Sequence, residues 1–161
     1  MTRVDNCEID TIGYDKVSRK ITITDSLNFF SIKKIFQQHG YPGYNLVDTV
    51  SSHNFWLLVQ HADRHLDFQD SVVSQMKIEM EKENASQSDY AYLVDRVMIN
   101  KGELQIYGSQ MKLNDSSTSF EPKPVVEPSL LNERRKSVGL PSIEEYIDLM
   151  NKHYYGSLKK Q

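Results

Sequence analysis

The spacing of apolar and polar positions changes several times along the chain. Near the end of residues 13–24, β-branched side chains alternate in the two-residue rhythm of a short strand, or of an ordered N-terminal arm. From Asp25 the period lengthens. Phe29, Ile32 and Phe36 recur at three- and four-residue spacing behind a capping Asp25, and Gly40 offers a left-handed stop, which predicts a helix over 26–39. Gly40-Tyr41-Pro42-Gly43 is turn chemistry. Ser51 and Ser52 then open a second helix, whose continuous apolar run over 55–59 marks it, with Trp56, as the central and most buried element. Asp67 caps a third helix over 67–83, with Phe68, Val72, Met76 and Met80 at i, i+4. Ser86 and Asp89 resemble a capping box before a fourth helix over 87–98.

Two short apolar runs around Asn100-Lys101-Gly102 predict a β-hairpin over 97–108, since Gly102 accepts a positive φ. Residues 114–129 hold three of the five prolines and a Ser/Thr cluster, the composition of an extended surface loop. Residues 130–138 read as a short charged helix. Ser142 and Glu145 form a capping box for a last helix through Met150, and 152–161 is expected to fray. The expectation is a mostly α, α+β fold: an arm or short strand over 1–24, one helical domain with its hairpin over 25–150, and a tail over 151–161.

Composition narrows the function classes. At 161 residues, 39% hydrophobic and 25% charged, the chain has the make-up of one soluble globular domain. Lys+Arg 19 against Asp+Glu 22 gives a net charge of −3, which excludes a strongly basic nucleic-acid binder. No run approaches the roughly 20 apolar residues of a membrane span, and the single Cys7 excludes an internal disulfide. The first residues lack the apolar core of a signal peptide, so a cytoplasmic protein or an exported one whose leader is absent is expected. There is no Gly-x-Ser-x-Gly elbow, Walker loop, Gly-x-Gly-x-x-Gly or paired Cys-x-x-Cys.

Three polar constellations remain. Gln60-His61-Ala62-Asp63-Arg64-His65 lies where an apolar helix ends. His61 and His65 would share a face if the helix continued, the spacing a metal site uses, but position 62 is Ala and no His-Glu-x-x-His arrangement exists; neither a metal nor a cofactor is expected. The plainer reading of His61 is a cation at a helix C-terminus. Asp95-Arg96 comes late in a mostly apolar helix, where a carboxylate demands a cation or several donors; it either ties the helix to the hairpin or serves a site. Gln105, Tyr107 and Gln110 surround a close-approach Gly108 and suit the reading of a polar ligand. Residues 132–136, with Arg134 and Arg135, read as a solvated helix face.

Taken in order, Gly40-Tyr41-Pro42, the Trp56 to Asp63 segment, Phe68-Gln69, Tyr92 to Arg96, Gly102, the Gln105 to Gln110 segment and Glu133 to Leu140 resemble a bacterial family classed as a domain of unknown function. That family shows Gly-Trp-Pro, Gln-His-Ala-Asp, Leu-x-Asp-Arg, Tyr-Gly-Thr-Gln and Arg-Arg-x-x-x-Gly-Leu segments. Here Tyr41 replaces the Trp and Ser109 the Thr, and His65 lies outside the pattern. The resemblance implies a bacterial origin and a polar cluster of Gln60, His61, Asp63, Gln69, Asp95, Arg96, Gln105, Tyr107 and Gln110, and carries no activity with it.

Two classes of function follow. In one, His61, Asp95, Arg96, Tyr107 and Gln110 converge on a pocket. His61 is then the acid/base, oriented by Asp63 or Asp95, with Gln60, Gln69, Arg96, Gln105, Tyr107 and Gln110 holding a small polar or anionic substrate. In the other, the cluster is structural and the protein is a non-catalytic ligand-binding or protein-interaction module.

Overall fold

The computed structural model describes the backbone of residues 5–158 and the side chains of residues 16–156. Among these, six α-helices and a two-stranded hairpin follow one another as α1 (Asp5–His39), α2 (Thr49–Gln60), α3 (Leu66–Glu81), α4 (Gln87–Asn100), β1 (Met111–Leu113), β2 (Phe120–Pro122), a single 3-10 turn (Pro128–Leu130), α5 (Leu131–Ser137) and α6 (Ile143–Leu158). The fold is α+β and mostly α. No helix among the described residues is long and apolar enough to cross a membrane.

Residues 13–24 are neither strand nor separate arm but part of α1. A β-branched residue costs a helix only a few tenths of a kcal/mol, whereas an isolated strand here would have no partner for its backbone. Each residue added to an existing helix gains a hydrogen bond. The hydroxyls fit too: Thr22 Oγ1 donates to the Ser18 carbonyl (3.0 Å) and Ser26 Oγ to that of Thr22 (2.8 Å). The side chain of Cys7 lies outside the described residues.

The helix ends as its sequence predicts, at Gly40 (φ +72°). A Cβ there would stand 2.6 Å from Gln75 Oε1, the atom that accepts the Tyr41 N–H at 2.9 Å. Asn84 holds the rest of the turn: its carbonyl accepts the Tyr44 N–H (3.0 Å) and its Oδ1 the Asn45 N–H (2.7 Å). Asp48, rather than Ser51 or Ser52, caps α2 by accepting the Ser51 N–H at 3.0 Å. His65 precedes α3 without a side-chain cap, two residues before the expected Asp67. Ser86 caps α4 as expected, through the Asp89 N–H at 3.1 Å.

Phe29 and Ile32 of α1, Phe55, Trp56 and Val59 of α2, Val72 and Met76 of α3, and Leu93 and Val97 of α4 form the main core, with Tyr41, Ala62 and Ala85. The apolar run of α2 thus lies among its neighbours as its composition requires. Ala91, Val138 and Leu140 form a second, smaller cluster beneath α5.

The hairpin exists but not over 97–108. Residues 97–100 complete α4, and Gly102 (φ +78°) stops that helix. The Glu103 N–H reaches back to the Met98 carbonyl (2.9 Å) and the Gly102 N–H to that of Ile99 (3.0 Å), a Schellman motif. Val97 is buried in the core, so tertiary burial set the helix's end where local β-propensity pointed the other way. The real hairpin occupies part of the expected Pro/Ser loop: Met111 pairs with Pro122, Lys112 with Glu121 and Leu113 with Phe120. Asn114 shapes its tip by accepting the Thr118 N–H (2.8 Å).

The capping box of α6 forms as expected, with the Ser142 N–H donating to Glu145 Oε2 (2.9 Å) and the Glu145 N–H to Ser142 Oγ (3.2 Å). Its helix runs past Met150, because the hairpin gives it a surface to pack on. Asn151 Oδ1 accepts the Phe120 N–H (2.8 Å), and Tyr154 meets Phe120 edge to face at 5.4 Å.

Gly43 approaches Asn84 so closely that a Cβ would stand 2.6 Å from the Asn84 carbonyl oxygen and 2.3 Å from its Nδ2. Gly43→Ala is expected to lower stability by about 1–3 kcal/mol, read by urea unfolding, while Gly102→Ala meets no such contact and costs only its positive φ.

Candidate functional site

The sequence-predicted polar residues gather in three places. The first is the turn over 105–110, which has almost no regular secondary structure and is held by side chains. Asp95, fully buried on α4, accepts the N–H groups of Ile106 (2.7 Å) and Tyr107 (2.9 Å) on Oδ1 and that of Ser109 (2.8 Å) on Oδ2. Gln105, equally buried, closes the turn on itself: its Oε1 accepts the Gln110 N–H (2.9 Å), and its Nε2 donates to the carbonyls of Gln110 (3.0 Å) and Lys123 (2.7 Å).

Two arginines complete the turn from the opposite side. Arg135 donates to the carbonyls of Pro141 (2.6 Å) and Tyr107 (2.7 Å) and lies over the Tyr146 ring at 4.9 Å. Arg134 donates from Nε to the Ile106 carbonyl (2.7 Å). Arg135 is fully buried, which corrects the reading of 132–136 as a solvated face. Its partners are backbone carbonyls far along the chain, which helical periodicity does not reveal. Burial, with the nearby Tyr90 and Asp95, raises the pKa of the half-buried Tyr107 phenol, so it stays protonated. Gln110 Nε2 reaches only Ser109 Oγ (3.3 Å).

The second group centres on Asp63, in the turn between α2 and α3. Arg96 grips it with both prongs, Nε to Oδ1 (2.8 Å) and Nη2 to Oδ2 (2.6 Å), while Asn100 (2.9 Å) and Gln69 (3.3 Å) also donate to Oδ1. Gln69 is wholly buried and uses the same Nε2 to hold the Val59 carbonyl (2.9 Å), which fixes the end of α2. Desolvation alone would raise the Asp63 pKa. The hydrogen bonds and charge of Arg96, helped by Gln69 and Asn100, outweigh it and hold the carboxyl below its ordinary value.

The third place is a crevice of about 180 Å³ between α1 and the turn over 61–65, walled by Thr22, Asp25, Ser26 and Phe29 on one side and by His61, Asp63, Arg64 and His65 on the other. α2 stops at Gln60, so His61 is its C-cap and His65 precedes α3. The shared helical face that the i, i+4 spacing suggested does not form. His65 stacks on Phe29 with ring centres 3.5 Å apart. The His61 side chain is exposed and makes no hydrogen bond among the described residues, and neither does the side chain of Gln60. No hydrogen bond or ion pair joins His61 to Asp95, Arg96, Tyr107 or Gln110, and none of those four lines this crevice. Among the described residues no three His, Cys, Asp or Glu side chains are placed to hold a metal ion.

Sequence reasoning missed Asn100 and the α1 wall. The sequence pattern puts Asn100 in a hairpin turn, and residues 13–24 in a short strand or an arm. Both become visible once the helical period is carried one turn further in each case.

Fold and site define a helical α+β domain built around two side-chain clamps, with a polar crevice beside one of them. The chain belongs to a family of unknown function (DUF6624), matched over residues 6–160. Neither a curated protein nor a solved structure gave a match to it.

Two outcomes test the clamps. Asp95→Asn places an amide NH₂ against a backbone N–H and is expected to cost about 2–4 kcal/mol in urea unfolding, with faster amide exchange over 105–110. The Asp63 carboxyl has a lowered pKa in the folded state, so its stabilising contribution is complete above the ordinary carboxylate range. It is lost as pH falls through the depressed value. Unfolding measured across acid pH should therefore show a shallower fall for Asp63→Asn than for the parent.

Proposed function

We propose that the chain binds a small polar or anionic ligand in the His61 crevice and exchanges a proton with it there, while Asp95, Gln105 and Arg135 serve the fold. The observation that carries this reading is the contrast in how polar atoms are used. Those of Asp95 and Gln105 are committed to backbone, and both Asp63 oxygens to Arg96, whereas the exposed imidazole of His61, at the crevice edge, has no hydrogen-bond partner among the described residues.

Imidazole is the side chain suited to give or take a proton near neutral pH. The Arg96 fork fixes Asp63, Gln69 fixes the end of α2, and between them they hold the backbone that carries His61. A ligand group entering between α1 and the turn would meet His61, Arg64 and His65 on one wall and the hydroxyls of Thr22 and Ser26 on the other. Arg96, given a ligand-holding role from sequence, acts on this reading as a positioning residue through Asp63. The same chemistry holds in the cytoplasm or, for a chain that has lost a leader, outside the cell.

The second reading, a non-catalytic interaction module, draws on the fully buried Asp95, Gln105 and Arg135, whose role is architectural. Imidazole and backbone resonances followed by NMR during titration with inorganic phosphate, acetate and citrate separate the two. Saturable shifts at His61 and Arg64 are expected with at least one of these. His61→Ala should abolish them while changing stability by less than about 0.5 kcal/mol. No shift with any of the three, in a folded protein, would leave the second reading in place.

A further inference from the structure

α1 carries large apolar side chains on an outer face that is exposed among the described residues. Phe29 and Ile32 turn inward to the core, and Thr22, Asp25 and Ser26 face the crevice. On the far side, Ile23, Leu27 and Phe30 are 60%, 64% and 69% exposed. They follow one another at i, i+4 and i+7, so they form one apolar stripe. The same stripe continues in both directions as positive charge. Lys16, Arg19 and Lys20 precede it and Lys34 follows, all within an arc of roughly 100° on a helix of 3.6 residues per turn, with Lys33 at its margin. All five basic side chains are exposed, and none forms an ion pair among the described residues. The only acid over residues 16–39 is Asp25, on the crevice side.

We propose that this outward face of α1 docks on an anionic lipid surface. Ile23, Leu27 and Phe30 would enter the headgroup layer, and the basic side chains at both ends would lie at the level of the lipid phosphates. An apolar centre bracketed along the axis by long cationic side chains suits a planar interface, because lysine and arginine stems lie along apolar surface while their charges stay with the headgroups. A second copy of the chain fits badly. Antiparallel pairing of two such stripes sets Lys16, Arg19 and Lys20 against Lys33 and Lys34, and parallel pairing sets each cation against itself. The occupant must bring negative charge, and a flat one reaches all three apolar residues of a single convex helix at once. No helix of the described residues crosses a membrane, so the contact is peripheral. The proposal is independent of the crevice chemistry.

The test is cosedimentation of the full chain with vesicles of phosphatidylcholine alone or with about 30% phosphatidylserine, from about 50 to about 500 mM salt. Poly-L-glutamate serves as a soluble acidic competitor. Binding to the serine-containing vesicles is expected to exceed that to phosphatidylcholine by about tenfold or more and to be lost at high salt. It should fall by about tenfold or more both in Leu27→Glu and in the pair Lys16→Glu, Lys20→Glu. These positions are exposed, and circular dichroism and melting should match the parent. No binding, equal binding to both vesicles, or binding untouched by the substitutions would overturn the proposal. Tight binding to poly-L-glutamate without vesicle binding would overturn it in favour of an acidic protein partner. A dimer abolished by Leu27→Glu, again without vesicle binding, would overturn it in favour of a second copy.

Discussion

A carboxylate removed from water must be met by donors that are already in place, and Asp95 meets this demand with three N–H groups of one turn. The turn in exchange acquires a shape it has no means of holding alone. Its backbone pairs with the neighbouring segment at its two ends, through the bridge between Gln105 and Val125 and the Lys123 N–H on the Gln110 carbonyl (2.9 Å), so the amides and carbonyls between them would be unpaired as α5 packs over it. Asp95 takes the amides, Arg134 and Arg135 take carbonyls, and Gln105 takes both kinds. The negative charge lies on α4 and the buried positive charge on α5, so the turn is the layer through which the two halves of the chain are joined. Gly108 sits at its bend with φ +65°, where a Cβ would press on Leu131 at 3.3 Å.

One residue farther along α4, Arg96 performs a related task on the other side. Asp95 and Arg96 are neighbours in sequence, and helical geometry points them about 100° apart. The first therefore reaches the turn over 105–110, and the second reaches Asp63 in the turn over 61–65. A single short stretch of α4 thereby fixes both irregular segments on which polar side chains concentrate. The difference between the two is exposure. Asp95 is sealed, while Asp63 borders a crevice whose opposite wall is supplied by α1. Chemistry with a ligand is open to the second place and closed to the first.

Much of this was legible in the sequence. Gly40, Ser86 and the Ser142/Glu145 box mark helix ends through contacts within a few residues, and each performs its predicted task. The apolar run of α2 announces its burial for the same local reason. That Asp95 requires partners was also legible, because a charge in an apolar stretch demands them, and three N–H groups meet it. Their pairing was not legible. His61 stands 34 residues from Asp95 in the chain, and whether two such groups meet depends on how α2 and α4 pack, which no spacing rule encodes.

The sequence by itself determined that the chain is a mostly helical α+β domain, and where most of its helices begin and end. These depend on capping, glycine stereochemistry and periodicity, all contacts of short range. Tertiary structure decided the rest. It extended α4 through residues 97–100 by burying Val97, moved the hairpin to 111–122, and carried α6 beyond Met150 by giving Tyr154 the ring of Phe120. It also sent Arg135 inward to backbone carbonyls and left the His61 imidazole exposed beside α1. The physical reason is that local propensities differ by fractions of a kcal/mol, whereas burying an apolar side chain or pairing a buried charge is worth several times as much.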